Sequence, residues 1–487
     1  MSPRILDPGA PRSLFDAHEA ADAPRYLSRA EAEALARKVL SYATADETRV
    51  VLTSGARMGT RFAVNQITTS GDRYDVTVSV RSSAGRRSAT ATTNALDDAS
   101  LRRVVESAER LARLSPEDPE AMPELGAQQY GEGRGWSEAT AAMEPARRAA
   151  LIAQVTGPAR EAGLESTGYL EGAAGSTAVA TSKGLFAYGR QTESVLTTTV
   201  RTKDGTGSGW GGGAHWDAAR LDPAAMAETA IRKARLSQNP VAIEPGRYTV
   251  ILEPTAVGNL LQLVLGAANA RAADEGRSFF TKPGGGTKIG MKVVDERVTL
   301  VSDPMDPDTH TVPFTLDGLP GKRVVWIENG VVRNLAYDRY WAEKQGREPN
   351  VGTAGGGFGG GGGGGGGGIP GGLKMLGGDA SLEDLVRDTR RGLLVTRFWY
   401  IRPVDPRTIL YTGLTRDGTF LIENGKITRA VKNLRFNESP IFMLNNLEAM
   451  GRPVRVSASE GGGPGLAVVV PPIRVRDFTF SSISDAV

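Results

Sequence analysis

A chain of 487 residues with no cysteine and only three histidines, His18, His215 and His310, is large yet poor in the side chains that most often ligate metals or move protons. The missing thiols exclude a disulfide framework, a thiol nucleophile, a zinc ribbon and a cysteine-held iron–sulfur cluster. Lys+Arg 58 against Asp+Glu 55 leaves a net charge of +3, too balanced to point to nucleic acid or an acidic membrane, and the 61 glycines are the compositional outlier.

Residues 1–27 read as a polar arm, without the continuous apolar run of a secretory signal. No segment approaches the roughly 18 apolar residues that span a bilayer, so a cytoplasmic protein is the expectation. Ser28-Arg29-Ala30-Glu31 has capping-box spacing and opens a helix to about Ala43. Alternating segments Arg49 to Ser54, Phe62 to Thr68 and Tyr74 to Val80 predict strands, with Gly55, Gly59 and Gly71-Asp72 as turns. Leu101, Val104, Val105, Ala108, Leu111 and Ala112 mark the apolar face of a second helix.

The pattern then recurs. A helix over Met143 to Ala162 precedes strands near Gly168 to Ala173, Ser176 to Ala180, Phe186 to Arg190 and Ser194 to Thr202, and a closing helix covers Pro223 to Leu236. Glu106-Ser-Ala-x-Arg-x-Ala-Arg-Leu-Ser115 returns as Glu228-Thr-Ala-x-Arg-x-Ala-Arg-Leu-Ser237, offset by 122 residues, which predicts two related units at about 28–118 and 140–240 within an N-terminal domain of 28–244. From 245 to 487 the pattern is β-rich: a short strand at Val250 to Leu252, a helix over Thr255 to Ala273, and strands at Val298 to Val301 and Arg323 to Ile327. Two Asn-Gly pairs, Asn329-Gly330 and Asn424-Gly425, lie between apolar runs and predict hairpins, because a type I′ turn needs positive φ at both central residues. Ser381-Leu-Glu-Asp-Leu-Val reads as a capped helix and Gly392 to Ile401 as a strand. Between Gly355 and Gly368, 13 of 14 residues are glycine, a run that cannot bury a core and reads as a mobile loop. The fold class is α+β: helices and antiparallel β-meanders followed by a β-rich domain of mixed and antiparallel sheets.

Few motifs carry chemistry on their own. Gly207-Ser-Gly-Trp-Gly-Gly212 matches G-x-G-x-x-G without a helix opening behind it, so a dinucleotide site is not supported. His18-Glu19 lacks a second histidine, since Asp22 stands at that position. Asp303, Asp306, Asp308 and His310 could in principle hold a hard cation, but Asp303-Pro304 and Asp306-Pro307 are ordinary turn dipeptides and the glycine of an EF-hand loop is missing, so a solvated loop is the favoured reading. His215 closes a glycine-rich loop with no carboxylate neighbour that argues for general-base work.

An ordered series is more informative. Leu260-Leu261 with Gly266, Asp303-Pro304, Asp317-Gly318, Ile327-Glu-Asn-Gly-Val331, Ser381-Leu-Glu-Asp-Leu385, Gly392-Leu-Leu-Val395, Thr412-Gly413 and Ile422-Glu-Asn-Gly-Lys426 together resemble the TldD/PmbA family of peptidases, over roughly residues 30 to 480. In TldD-like chains the resemblance implies a zinc peptidase whose helix carries Leu-Leu-His-Glu-x-x-Gly-His, two histidines on the metal and the glutamate activating water, with a later cysteine as a further ligand. Aligned on Gly266, the ligand positions here are Gln262 and Ala267, and the base position is Leu263. An amide and a methyl group do not replace imidazoles on zinc, and leucine takes no proton from water.

The resemblance is therefore to the TldE-like (PmbA) chain. It implies no metal in this chain, zinc in a TldD-like partner, and a dimer enclosing a cavity in which small or unfolded peptides, held as added strands, are proteolysed. No nucleic-acid or membrane partner is expected. Thr412, Arg416 and Asn437, beside the Thr-Gly and strand motifs, are the candidate peptide contacts. Two other readings stay open: a homo-oligomeric peptide-binding scaffold, and a hydrolase whose site has moved to the Asp303–His310 loop or His215.

Overall fold

A computed structural model describes residues 26–309, 311–352, 371–460 and 467–484. His18, His310, most of the N-terminal arm and the glycine run at 355–368 lie outside the described residues. The chain divides into two compact units, one of residues 1–56, 73–128 and 174–189 and a larger one of 57–72, 129–173 and 190–487.

The elements of the first part are α1 (Arg29–Leu40), β1 (Glu47–Ala63), β2 (Gln66–Ala84), β3 (Arg87–Thr93), α2 (Asp98–Leu114), α3 (Glu138–Ala141), α4 (Pro145–Glu161), β4 (Glu165–Thr181), β5 (Phe186–Arg201), β6 (Ser208–His215) and α5 (Pro223–Leu236). Ser28 and Glu31 close the expected capping box on α1. The six strands form one sheet in the order β3-β2-β1-β4-β5-β6, and β1, β2, β4 and β5 each contribute residues to both units. The order puts one helix–three strands–helix set on each side of the β1–β4 neighbours. There Ser54 Oγ and Ser176 Oγ share a hydrogen bond of 2.9 Å across 122 residues, the same offset as the two closing helices.

Several expected short strands are in fact single long ones. Gly55 and Gly59, read as turns, lie inside β1 because neighbours approach them closely: a Cβ on Gly55 would stand 2.6 Å from the Ala174 carbonyl oxygen, and one on Gly59 would run into the Tyr169 ring. Gly71-Asp72 likewise lies within β2. The actual turn is Val64-Asn65, with φ of 49° and 61°, where Asn65 donates to Leu164 O (2.8 Å) and accepts from Ser166 N (2.8 Å). Gly207 to Gly212 are not a loop but run into and along β6. Cβ atoms at Gly209 and Gly211 would collide with the carbonyl oxygens of Ala230 and Met226, so the glycines let α5 lie directly on the strand. His215 is accordingly the last residue of that strand.

In the first unit Leu35, Val39, Val50, Leu52, Val80 and Leu101 form the core between α1, α2 and the sheet. In the second, Arg148 of α4 is fully buried, donating to Thr60 Oγ1 at 2.9 Å and Met143 O at 2.7 Å and pairing with Asp72 at 2.6 Å.

The larger unit continues with β7 (Gly246–Leu252), α6 (Pro254–Ala267), α7 (Ala270–Asp274), β8 (Leu300–Ser302), β9 (Val324–Glu328), β10 (Val331–Val332), α8 (Arg339–Lys344), β11 (Leu373–Met375), α9 (Leu382–Arg387) and β12 (Arg391–Asp405). It closes with β13 (Leu410–Glu423), β14 (Lys426–Ala430), β15 (Leu434–Glu438), α10 (Pro440–Asn445), β16 (Leu447–Met450), β17 (Val454–Ser457), β18 (Ala467–Val470) and β19 (Ile473–Ile483). The single helix expected to reach Ala273 breaks after Ala267: Asn269 turns out of α6, accepts from Ala272 N at 2.8 Å and starts α7. Both Asn-Gly turns form, with Asn329, Gly330, Asn424 and Gly425 all at positive φ.

One sheet runs β10-β9-β8-β11-β18-β17, and the other β12-β7-β19-β15-β13-β14 with β16 on β19. Because β12 also pairs with β13, the strands β12, β7, β19, β15 and β13 close into a barrel without an open edge between them. Its interior holds Phe398, Phe436, Phe478 and Phe480, with Phe398 and Phe436 centroids 4.6 Å apart and Phe478 and Phe480 5.2 Å apart. The architecture is α+β.

Candidate functional site

Helix α6 carries the positions that the metal would need. Its apolar face, including Val257, Leu260, Leu261 and Val264, is buried in the main core. Asn259 and Gln262, one turn apart, both donate to the Ala458 carbonyl oxygen just past β17, each at 3.0 Å, and Asn259 Oδ1 accepts from Phe398 N at 3.3 Å. Leu263 and Ala267 pack half-buried against the same core. The three positions thus offer one amide, engaged elsewhere, and two hydrocarbon side chains. That donor set does not fit Zn²⁺, which takes imidazole, thiolate or carboxylate. Among the described residues no three His, Cys, Asp or Glu side chains come together as a metal site.

The aspartate loop meets a lysine instead. Lys374 Nζ lies 3.0 Å from Asp306 Oδ2 and 3.1 Å from Asp308 Oδ2. Burial alone would depress the ammonium, yet the hydrogen bonds to both aspartates outweigh it and its pKa is raised. Asp303 Oδ1 and Asp306 Oδ1 accept from the amides two residues on, at 2.9 and 2.8 Å, as turn-forming aspartates do.

His215 has a burial-lowered pKa, near 4, reinforced by the charges of Arg455 and Arg220. Its Nδ1 accepts from Asp217 N at 2.9 Å, which leaves the proton of the neutral ring on Nε2. Arg455 pairs with Glu193 at 2.8 Å, and burial raises the Glu193 carboxyl despite that partner.

Of the candidate peptide contacts, Thr412 and Asn437 are register partners across β13 and β15, and Thr412 Oγ1 donates to Phe436 O at 3.0 Å. Arg416 lies further along β13, opposite Arg397 of β12, with its guanidinium 4.7 Å from the Trp399 ring centroid.

Sequence reasoning passed over two features here. One is the set Trp210, Arg397 and Trp399, which forms a row with the expected contact Arg416 and for which the only sequence signal is a charge beside two aromatics, Arg397-Phe398-Trp399, in an otherwise apolar strand. The other is a cavity of about 510 Å³ lined by Leu382, Val386, Leu394, Phe420, Lys233 and Glu253, the last two paired at 2.6 Å. No helix among the described residues is long and apolar enough to cross a membrane.

The PmbA/TldA metallopeptidase central domain matches residues 138–238, and the PmbA/TldA metallopeptidase C-terminal domain matches 245–482. The chain belongs to the TldD/PmbA family. A metalloprotease of Methanothermobacter thermautotrophicus is 26% identical over 51% of this chain and 53% of its own length. A zinc metalloprotease TldD homolog of Saccharolobus solfataricus is 25% identical over 44% of this chain and 46% of its own. The chain spans about half the length of these curated relatives. The crystal structure of TldE from Thermococcus kodakarensis shares the fold, with a TM-score of 0.80 and 18% identity, covering 92% of this chain and 99% of that one.

Proposed function

We propose that this chain is the metal-free, TldE/PmbA-like subunit of a cytoplasmic TldD/TldE-type metallopeptidase complex. It helps form the cavity in which a zinc-bearing, TldD-like partner cleaves small or unfolded peptides. The observation that carries this reading is α6: in a chain that otherwise matches the family, the ligand and base positions are Gln262, Ala267 and Leu263, and Gln262 is engaged with Ala458 O. Such a helix binds no zinc and activates no water, so the chemistry belongs to another chain. The reading includes a division at 244/245 into an N-terminal α+β domain, with units of about 28–118 and 140–240, and a C-terminal β-rich domain. It also places Thr412, Arg416 and Asn437 against the peptide.

The test is co-expression with a TldD-like chain bearing the intact His-Glu helix, followed by metal analysis and peptide cleavage by each chain alone and by the mixture. A stoichiometric complex in which only the mixture or the partner cleaves is expected. One tightly held zinc and cleavage by this chain alone would overturn the reading. A homo-oligomer whose mass ignores the partner would favour a peptide-binding scaffold.

A further inference from the structure

We propose that Arg416 and Trp399, backed by Arg397 and Trp210, form a clamp for the free C-terminal carboxylate of a peptide. The peptide as ligand rests on the proposed function; the affinity for a carboxylate rests on the geometry.

Phe398 points into the barrel, so its neighbours Arg397 and Trp399 project from the outer face of β12. Arg416 is the cross-strand partner of Arg397 in the β12–β13 ladder, and like charges placed directly opposite are destabilising. The rings hold the two cations in a row. The Arg397 guanidinium lies 5.3 Å from the Trp210 centroid and 5.6 Å from Trp399, and that of Arg416 lies 4.7 Å from Trp399 on β12.

One acid serves both arginines. Asp417, buried and at φ 55°, accepts from Ser208 Oγ at 2.8 Å through Oδ1, while its Oδ2 stands 3.7 Å from Arg397 Nε and 3.8 Å from Arg416 Nε. Both separations exceed a hydrogen bond. A second acid is in range: the Glu460 carboxylate acts on Arg397 through space, accepts from the amides of Tyr400 and Ile401 at 3.1 and 3.0 Å and lies 3.8 Å from Arg402, while its carbonyl oxygen accepts from Arg397 at 3.1 Å. Three guanidiniums, of Arg397, Arg402 and Arg416, against the two carboxylates of Asp417 and Glu460 leave a positive charge at the clamp.

Arg397 is nine-tenths buried and serves as the fixed backing. Arg416 is partly exposed, and no hydrogen bond ties its guanidinium to another described residue. Stacking on Trp399 orients its planar fork beforehand, which suits two parallel N–H···O bonds to a planar carboxylate and reduces the ordering lost on binding. Along the same hairpin face Leu414 and Thr412 are uncharged, but Arg435 of β15 stands opposite Leu414 and donates to Thr412 Oγ1 at 3.4 Å, and Arg402 of β12 stands opposite Thr412. Arg435 is engaged with Thr412 and Arg402 lies beside Glu460, so the fork of Arg416 is the one presented for a single planar carboxylate, and competition by a phosphate chain, which needs cations in succession, is the control.

The test uses the full chain without a partner. Tryptophan fluorescence and calorimetry follow titration with a pentapeptide of alanine and valine carrying a free C-terminus, and with its C-terminal amide. The free acid is expected to bind at least about tenfold tighter, since the amide cannot accept two parallel charge-assisted bonds from the fork. Arg416→Gln should abolish that preference with an unchanged melting temperature, while Arg416→Lys, which keeps the charge but loses the fork, should retain only part of it. Equal binding of acid and amide, no binding of either, or an unchanged preference in Arg416→Gln would overturn the proposal. So would stronger competition by an oligothymidylate than by free acid. Because the preference is read without a partner, a clamp that survives while mixed chains fail to cleave rejects only the subunit reading, and the reverse outcome rejects only the clamp.

Discussion

Asn259 and Gln262 share one acceptor, and that makes their substitution non-additive. In Gln262→Met, Ala458 O keeps the Asn259 amide at 3.0 Å, so the expected cost is one partly exposed hydrogen bond, about 0.5–1 kcal/mol. Asn259→Leu, at a side chain 1% exposed, leaves Ala458 O on Gln262 but removes the acceptor of Phe398 N. Its cost is therefore larger, about 2–3 kcal/mol. The double substitution alone strips Ala458 O of both donors, and the penalty for that carbonyl adds about 1–2 kcal/mol beyond the sum of the single costs. Urea denaturation of the four proteins, with amide exchange along α6 as the local readout, measures the coupling. If the double cost equals the sum within about 0.5 kcal/mol, the shared carbonyl is not what holds Gln262, and the argument that this position serves packing fails.

Other perturbations are equally specific. His215 has a folded pKa near 4 against 6.5 for the free side chain, so the unfolded chain takes up a proton before the folded one does. Stability should be level above pH 6.5 and fall between pH 6.5 and about 4, by about 1–2 kcal/mol once part exposure of the ring is allowed for. His215→Asn should flatten this slope in urea midpoints measured at pH 7 and 4.5, and an unchanged slope would assign it to other groups. Lys233→Met removes the cation 2.6 Å from Glu253, whose Oε1 is buried with no hydrogen bond. A loss of about 3–5 kcal/mol is expected, with substantial recovery in Lys233→Met/Glu253→Leu, read as melting temperature. Val64 is β-branched at φ 49°, so Val64→Gly should raise stability by about 0.5–1 kcal/mol, and a lower melting temperature would contradict the turn geometry.

Locally encoded features were the legible ones. The Ser28 and Ser381 capping boxes, the bounds of α5 and both Asn-Gly turns depend on residues within a few positions of each other, and each forms as its residues require. The glycines of β1 and β6 misled because the same residue type serves a turn and a close approach, and the approaching groups, Ala174, Tyr169 and α5, lie far along the chain. Val64 concealed the β1–β2 turn, since a β-branched residue ordinarily argues for strand. Barrel closure depends on β7 pairing in parallel with β12, Val250 with Leu393, which no local pattern signals. The site divides in the same way: the α6 positions keep a fixed spacing on one helix and could be read directly, whereas the clamp draws residues 210, 397, 399 and 416 from three strands.

The energetics of α6 explain how a family helix can lack metal ligands and keep its place. Val257, Leu260, Leu261 and Val264 are at most 1% exposed, and burying each contributes about 1.5–3 kcal/mol. Gly258, where a Cβ would stand 3.1 Å from Val456, sets the close packing of the helix against β17. Positions 262, 263 and 267 are only half-buried, and their amide, isobutyl and methyl groups find partners in Ala458 O and the core edge. The residues that hold the helix are thus distinct from those that would hold a metal, so the chemistry can be absent while the packing is retained. The converse does not follow, because a polar replacement at Leu261 or Val264 would bury an unsatisfied group at a cost of several kcal/mol. On the proposed reading, this separation lets one fold serve both as a zinc-bearing chain and as its metal-free partner.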